Sequence, residues 1–272
     1  MPLAAHLGAC LIAANLIAEF LLLPDPEKRS TGRGRLVSVG VHVALAYALV
    51  GWWDHWRLFL AIAGAYTILD FLRTRFGQEN IPSFLLERAT YAGAALILAV
   101  AFGHAPASPH ASPLYGVARW GEAYLQAIVL VAGAVVTILT SGVLTARIVK
   151  PLRKQLSKSD DAGFIEGGLI IGRLERILIF VLVLSSNSAA IGFLVAAKSI
   201  LRFGRVGEKE KDQDRELEDQ GHEEKSQNPR MESEYIIICT LASFTFATTA
   251  SLLTVYLRDL PWIEASPWVM PP

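Results

Sequence analysis

The chain has 272 residues, of which 53% are hydrophobic and only 18% are charged, and its 25 Lys and Arg balance 25 Asp and Glu. This balance gives no electrostatic bias towards nucleic acid, so we expect no nucleic-acid partner. The apolar residues cluster in runs of about 17–25, which is long enough to cross a hydrocarbon core. The composition therefore excludes an ordinary soluble domain and predicts an integral membrane protein surrounded by the lipid bilayer.

Eight apolar segments follow one another, which predicts an all-α fold, a polytopic transmembrane helix bundle of about eight membrane helices. They cover residues 3–23, 36–53, 56–72, 83–103, 121–144, 167–186, 188–203 and 235–257. Two of these segments, 36–53 and 188–203, are short, and whether each spans the membrane stays open. The predicted parts are a four-helix bundle over 1–103, a second helix group over 104–203, a charged cytoplasmic loop over 204–234, and a last helix with an external tail over 235–272.

Basic residues fall in alternate loops of this predicted bundle. Loops 24–35, 73–75 and 145–158 are rich in Lys and Arg, whereas loop 104–118 has neither. Since Lys and Arg are enriched in cytoplasmic loops, we expect the three basic loops in the cytoplasm, together with loop 204–234. Eight crossings then leave both termini outside, in a multi-pass protein of the cytoplasmic (inner) membrane.

Four ionisable side chains lie inside the first four apolar segments at one predicted depth. They are Glu19, His42, Asp70 and Glu87. Charged groups inside membrane segments are costly and indicate functional sites by default, and bundles build polar or metal sites from side chains at one level of successive helices. The alternative is structural, because each residue lies near a helix end, where nearby arginines would neutralise the acids.

A second group of charges lies in segments six and seven, at their predicted cytoplasmic ends. Its members are Arg173, Glu175, Arg176 and Lys198, together with Arg202. As a binding site, the group would take a lipid phosphate or an acidic group of a partner. The alternative is that these long side chains reach the membrane surface beside one ion pair.

Six stretches of the chain share a pattern with one known family. They are GRLERILIFVLVLSSNSAAIGFLVAAKSILRFG and EYIIICTLASF in the C-terminal half, and ANLIAEFLLLP, VHVALAY, TILDFLRTRF and FLLERATY in the N-terminal half. These stretches resemble an uncharacterised bacterial polytopic membrane-protein family, known only as a domain of unknown function. The resemblance covers most of the chain and implies a bacterial membrane protein, but the family offers no established activity to transfer.

The same family typically carries pairs of His and Asp on successive helices of its N-terminal half. The matching positions here are Asn15 with Glu19, Thr67 with Asp70, and Glu87 with Tyr91. The acids persist as acids, and His42 is the one matching His retained. The resemblance therefore implies metal ligands at Glu19, His42, Asp70 and Glu87. Asn, Thr and Tyr are poorer ligands than His for zinc, so Mg²⁺ or Mn²⁺ is favoured over Zn²⁺.

Three classes of function stay open. We predict a binding or transport protein in which the three acids and His42 bind a cation or a proton on the cytoplasmic side. The first alternative is a membrane-embedded metal-dependent hydrolase of a lipid-linked substrate, in which the acids hold a metal that activates water. The second is a non-catalytic membrane subunit or sensor whose loop 204–234 binds a cytosolic protein. The lost histidines count against the hydrolase, and the few polar groups expected near the centres of segments one to five count against a through-membrane relay.

Overall fold

The part of the chain described by the computed structural model is helical. It comprises residues 2–22, 32–51, 55–76, 81–103, 121–156, 162–187, 189–198, 200 and 229–260. No strand occurs among these residues, so the predicted all-α fold is confirmed for them. Most of the predicted charged loop, up to residue 228, and the tail from residue 261 lie outside the described residues.

Eight helical segments make up this part of the chain, and each overlaps one predicted apolar segment. They are α1 (Pro2–Ile17, continued by the π-helical turn Ala18–Leu22), α2 (Gly32–Val50), α3 (Trp56–Phe76), α4 (Ile81–Phe102), α5 (Gly121–Val135, the π-helical turn Val136–Thr140 and Ser141–Leu156), α6 (Ala162–Leu184), α7 (Ala189–Lys198) and α8 (Pro229–Arg258). The last residues of the predicted charged loop therefore begin α8.

Within the described ranges, four helices are long and apolar enough to cross a membrane. Their apolar stretches are Arg33–Val50, Ile81–Phe102, Ala123–Lys150 and Ile237–Arg258. They belong to α2, α4, α5 and α8, so the structure supports a membrane protein but does not by itself establish the predicted eight crossings.

The other four helices differ from these in length or in charge. The apolar part of α1 is shorter, at Ala4–Phe20. The helix α7 rises only about 15 Å, half of a hydrocarbon core of about 30 Å. The helices α3 and α6 have 21 and 23 residues, but each carries several charged side chains. Those charges form the candidate sites.

The first helix group is built around α1. This helix packs against α2, α4 and α5, and α3 completes the group between α2 and α4. The helices α2 and α3 run in opposite directions. Tyr47, near the end of α2, contacts Phe59, near the start of α3, with ring centroids 5.3 Å apart. Leu11 of α1 and Ile62 of α3 are fully buried in the shared apolar core.

The second helix group contains α5, α6 and α8. Ile179 and Val183, which follow Arg176 on α6, pack with Phe244 and Ala247, which follow Ser243 on α8. Since Arg176 itself contacts Ser243, α6 and α8 run in the same direction. The chain between them must therefore return over the length of the helices.

The helices α5 and α8 approach closely at one glycine. A Cβ atom added to Gly133 would lie 2.2 Å from Cγ2 and Oγ1 of Thr254 and 2.7 Å from its Cβ. Small residues at membrane helix interfaces permit such close backbone approach. Thr254 is buried, and its hydroxyl donates to the carbonyl of Ala250 at 2.8 Å, so its methyl group packs on α5 without leaving an unsatisfied donor.

We expect Gly133→Ala to destabilise the protein by about 1–3 kcal/mol, the usual cost of overpacking a well-packed interior. Thermal unfolding of the detergent-purified protein measures the effect. Thr254→Ala removes the two closest atoms and should restore part of the loss in the double variant. Gly64→Ala is the matched control, because nothing lies within 4 Å of its added Cβ. Equal melting temperatures of Gly133→Ala and Gly64→Ala would contradict this close approach.

Candidate functional site

Two glutamates and two arginines from three helices form one ion-pair cluster. Glu19 lies in the π-helical turn of α1, Arg73 near the end of α3, and Glu87 and Arg88 near the start of α4. Arg73 reaches Glu19 from Nη1 at 3.3 Å and Glu87 from Nε at 3.1 Å. Arg88 donates from Nη2 to Glu87 at 2.8 Å and binds the other oxygen of Glu19 through Nη1. Each arginine thus bridges both acids, and the four charges sum to zero.

Burial makes this cluster different from a surface ion pair. The side chain of Glu19 is only 7% exposed, and that of Arg88 is 15% exposed. Aromatic rings surround the Arg88 guanidinium: its central carbon lies 5.5 Å from the ring centroid of Phe20, 5.4 Å from that of Phe84 and 5.6 Å from that of Tyr91. These rings hold the guanidinium through cation–π attraction and keep water from the carboxylates.

His42 lies beside the cluster in an aromatic layer. Its Nδ1 is 2.7 Å from the carbonyl oxygen of Ser38, one turn earlier on α2, so Nδ1 is assigned as the donor. Its ring centroid lies 5.3 Å from that of Tyr66 and 6.4 Å from that of Tyr91. The hydroxyl of Tyr66 donates to the carbonyl of Leu11 at 3.5 Å. The imidazole is therefore oriented by its own helix and packed between rings from α3 and α4.

Asp70 remains apart from the ion pairs. It is half-buried on α3, one turn before Arg73, and makes no ion pair with any other residue that the structure describes. It lies close enough to Tyr91 to act on its hydroxyl electrostatically. Arg73 therefore has a third carboxylate within one helical turn, in addition to those of the two glutamates that it binds.

The four predicted metal ligands do not form a ligand set in this arrangement. In the described ranges, no three His, Cys, Asp or Glu side chains are grouped so that they could hold a metal ion. The arginines occupy the carboxylates of Glu19 and Glu87, and His42 directs Nδ1 to a backbone carbonyl. The predicted Mg²⁺ or Mn²⁺ site thus has no support from the geometry.

The second predicted group separates into three different environments. Lys198 binds Glu175, and its Nζ lies 5.4 Å from the ring centroid of Phe244. Arg173 is exposed, and Arg202 lies outside the residues that the structure describes. Arg176 is 7% exposed, and it donates from Nε to the carbonyl of Ile138 at 2.8 Å. Its Nη1 donates to the hydroxyl of Ser243 at 3.2 Å.

The position of Arg176 differs from the sequence-based expectation. Ile138 lies at the middle of α5 and Ser243 at the middle of α8. Arg176 thus reaches the centre of the second helix group instead of a helix end, because it faces α5 and α8. The hydrophobic pattern alone gave no information on that rotation of α6.

A row of hydroxyl groups on α5 is a further feature that the sequence interpretation missed. Thr137, Ser141 and Thr145 are buried at intervals of one helical turn, and the hydroxyls of Ser141 and Thr145 donate to carbonyls four residues earlier. Thr137 lies with its Oγ1 3.4 Å from Oγ of Ser251 on α8. The i, i+4 spacing of hydroxyl residues was the available signal.

Comparisons of the chain with models of known protein families, with curated proteins and with solved structures found no match. The functional argument therefore rests on the geometry of the ion-pair cluster and of Arg176.

We expect Glu19→Gln to lower stability by about 3–5 kcal/mol, since it leaves two arginines short of a buried partner. Arg88→Gln should have a similar effect, and the double variant should lose much less than the sum, because the two residues interact directly. Unfolding of the purified protein in detergent measures the cycle. The exposed pair Arg258–Asp259 supplies the control: Arg258→Gln should produce no resolvable change. Additive losses for Glu19 and Arg88 would contradict the cluster.

Proposed function

We propose that the chain is a multi-pass protein of a bacterial cytoplasmic membrane, with eight crossings and both termini outside. What supports eight crossings is the parallel arrangement of α6 and α8, which requires the intervening chain, including α7, to return across the bilayer. The positions of the basic loops support the orientation. On the less apolar helices α3 and α6, Arg73 and Glu175 are paired and Arg176 is covered inside the protein, which lowers the cost of placing these helices in the membrane.

Cysteine labelling tests this topology in a chain that lacks the native thiols, through Cys10→Ser and Cys239→Ser. In intact spheroplasts, a membrane-impermeant maleimide should label Ser108→Cys but not Ser157→Cys or Ser226→Cys. After permeabilisation, it should label all three. Labelling of Ser226→Cys from outside would show that the chain between α6 and α8 does not cross, and would reduce the number of crossings by one.

The function proposed for this protein is proton binding at the Glu19–Arg73–Glu87–Arg88 cluster, in a protein of the binding or transport class. The observation that carries the proposal is the burial of Glu19 between two arginines of two other helices. Replacing a buried ion-pair network by apolar residues is often neutral or stabilising. We therefore attribute the retention of four charges in this bundle to a role other than stability.

A proton fits this cluster better than a metal ion does. A divalent cation at Glu19 and Glu87 would have to displace two guanidinium groups, each of which already bridges both carboxylates. A proton adds to an oxygen of Glu19 without taking the place of a guanidinium, and it weakens the attraction of Glu19 for Arg73 and Arg88. Asp70 lies one turn from Arg73 and offers it another carboxylate. Protonation of Glu19 would therefore transfer Arg73 towards Asp70 and alter the contact between α1 and α3.

The other two classes have less support. A lipid-linked hydrolase needs a metal and its ligand set, which the described residues do not provide. A partner-binding subunit would rely on the loop over 204–234, most of which lies outside the described residues. The proton-binding proposal is the one that uses contacts present among α1, α3 and α4.

Proton flux into proteoliposomes tests the proposal. With a pH-sensitive dye inside the vesicles and an imposed potassium diffusion potential, wild-type protein should acidify the lumen faster than protein-free vesicles. We expect Glu19→Gln to lower this rate at least tenfold, because its amide cannot exchange a proton, and Asp70→Asn to lower it less.

The matched control is Glu175→Gln, which removes another partly buried, paired acid in the second helix group. It should retain the wild-type rate. Flux in Glu19→Gln equal to that of wild type would contradict the proposal. Elemental analysis of the same preparations provides an independent check: about one Mg²⁺ or Mn²⁺ per chain, lost in Glu19→Gln, would favour the metal-binding alternative.

A further inference from the structure

Arg176 is the most deeply buried cation of the second helix group that the structure describes. It projects from α6 to the centres of α5 and α8, where its guanidinium meets the carbonyl of Ile138 and the hydroxyl of Ser243. Ile138 belongs to the π-helical turn of α5. Such turns are frequent at functional sites, and they disturb the regular backbone hydrogen bonds. A carbonyl in such a turn, like that of Ile138, can therefore accept a hydrogen bond from a side chain.

Both hydrogen-bond partners of Arg176 are neutral. Unlike lysine, arginine stays protonated in proteins, so burial cannot remove its charge. Neutral oxygens satisfy individual N–H groups but do not balance a full positive charge in a low-dielectric interior. A negatively charged group close to the guanidinium would therefore be strongly favoured.

The surrounding charges of the described helices do not place such a group on the guanidinium. The nearest acid in sequence, Glu175, acts on Arg176 through its charge, but its carboxylate is bound to Lys198. Arg173, one turn before Arg176, adds another positive charge to α6. Three cations thus face one carboxylate, and the group carries a net charge of +2 by this count of Arg173, Glu175, Arg176 and Lys198.

One nitrogen of the guanidinium has no described hydrogen-bond partner. Two of its N–H groups are used by Ile138 and Ser243, and Nη2 makes no hydrogen bond to a described residue. The guanidinium packs directly on Gly142 of α5, where an added Cβ would lie only 2.7 Å from Nη2 and 3.0 Å from the central carbon. A side chain at this position would therefore displace the guanidinium.

We infer that Arg176 is the centre of an anion-binding site between α5, α6 and α8, which takes a compact monovalent anion such as chloride or a small carboxylate. A small anion is favoured over a lipid phosphate, because Arg176 is only 7% exposed and lies between the helices. This site is separate from the proton-binding cluster, and its occupancy does not depend on the function proposed for that cluster.

Thermal unfolding of the full-length protein in detergent tests the site at constant ionic strength. Replacing sodium gluconate by sodium chloride or sodium formate should raise the melting temperature of the wild type by about 2–4 °C, since an anion that binds only the folded protein stabilises it. The line width of the ³⁵Cl NMR signal, which broadens when chloride exchanges with a protein site, measures the binding directly.

Arg176→Gln should abolish both the temperature shift and the excess line width. Arg75→Gln, an exposed arginine of the first group, should keep both. If Arg176→Gln does not fold, Gly142→Ala decides, because its methyl group overlaps the guanidinium, displaces Nη2 and should weaken chloride binding at least tenfold. Gly168→Ala is its control, since nothing lies within 4 Å of the added Cβ.

Three results would overturn the inference. The first is an identical melting temperature of the wild type in gluconate and in chloride, without excess line width of the ³⁵Cl signal. The second is chloride binding that persists in Arg176→Gln. The third is a chloride affinity of Gly142→Ala equal to that of the wild type.

Discussion

The cost of placing charge in an apolar surrounding is the constraint on which both polar centres of this protein depend. In the first helix group, the cost is offset by pairing: each guanidinium bridges two carboxylates, and rings of Phe20, Phe84 and Tyr91 enclose Arg88. In the second group, Arg176 receives only neutral oxygens from the described residues. The charges of the first centre sum to zero, whereas Arg176 has no carboxylate among its described hydrogen-bond partners. This difference is the reason for proposing a proton at the first centre and an anion at the second.

Much of the helix layout was predictable from sequence, because an apolar run of membrane length has few other solutions. The eight segments all correspond to helices, and Glu19 and Glu87 do share one level of the bundle. The partner of each charge was not predictable. Hydropathy fixes the depth of Glu19 but not the rotation of α3, which directs Arg73 towards Glu19 and Glu87 while Asp70 stays outside the ion pairs. A metal site inferred from residue types alone could not account for the arginines.

The same limit explains why Arg176 and the hydroxyl row were missed. A charge nine residues after the start of the predicted segment 167–186 fits a long side chain that reaches the cytoplasmic surface. Only the packing against α5 and α8 shows that Arg176 points inward. Ser and Thr carry little hydropathy signal, because each can satisfy its hydroxyl on a carbonyl of its own helix. Such bonds within α5 let Ser141 and Thr145 lie buried without the large penalty of an unpaired donor, whereas Thr137 has Ser251 of α8 as its hydroxyl partner.

The parallel course of α6 and α8 also bears on how the protein is made. Helices that enter the bilayer one after another pair most readily as antiparallel neighbours, and α5 with α6 form such a pair. Arg176 enters the membrane with α6, when only the carbonyl of Ile138 is available to it. Its second partner, Ser243, is synthesised more than sixty residues later. The contact between Arg176 and Ser243 is therefore completed only after synthesis of the last helix. A chain stopped before α8 would carry a guanidinium with one hydrogen bond. Membrane quality control can recognise such a feature.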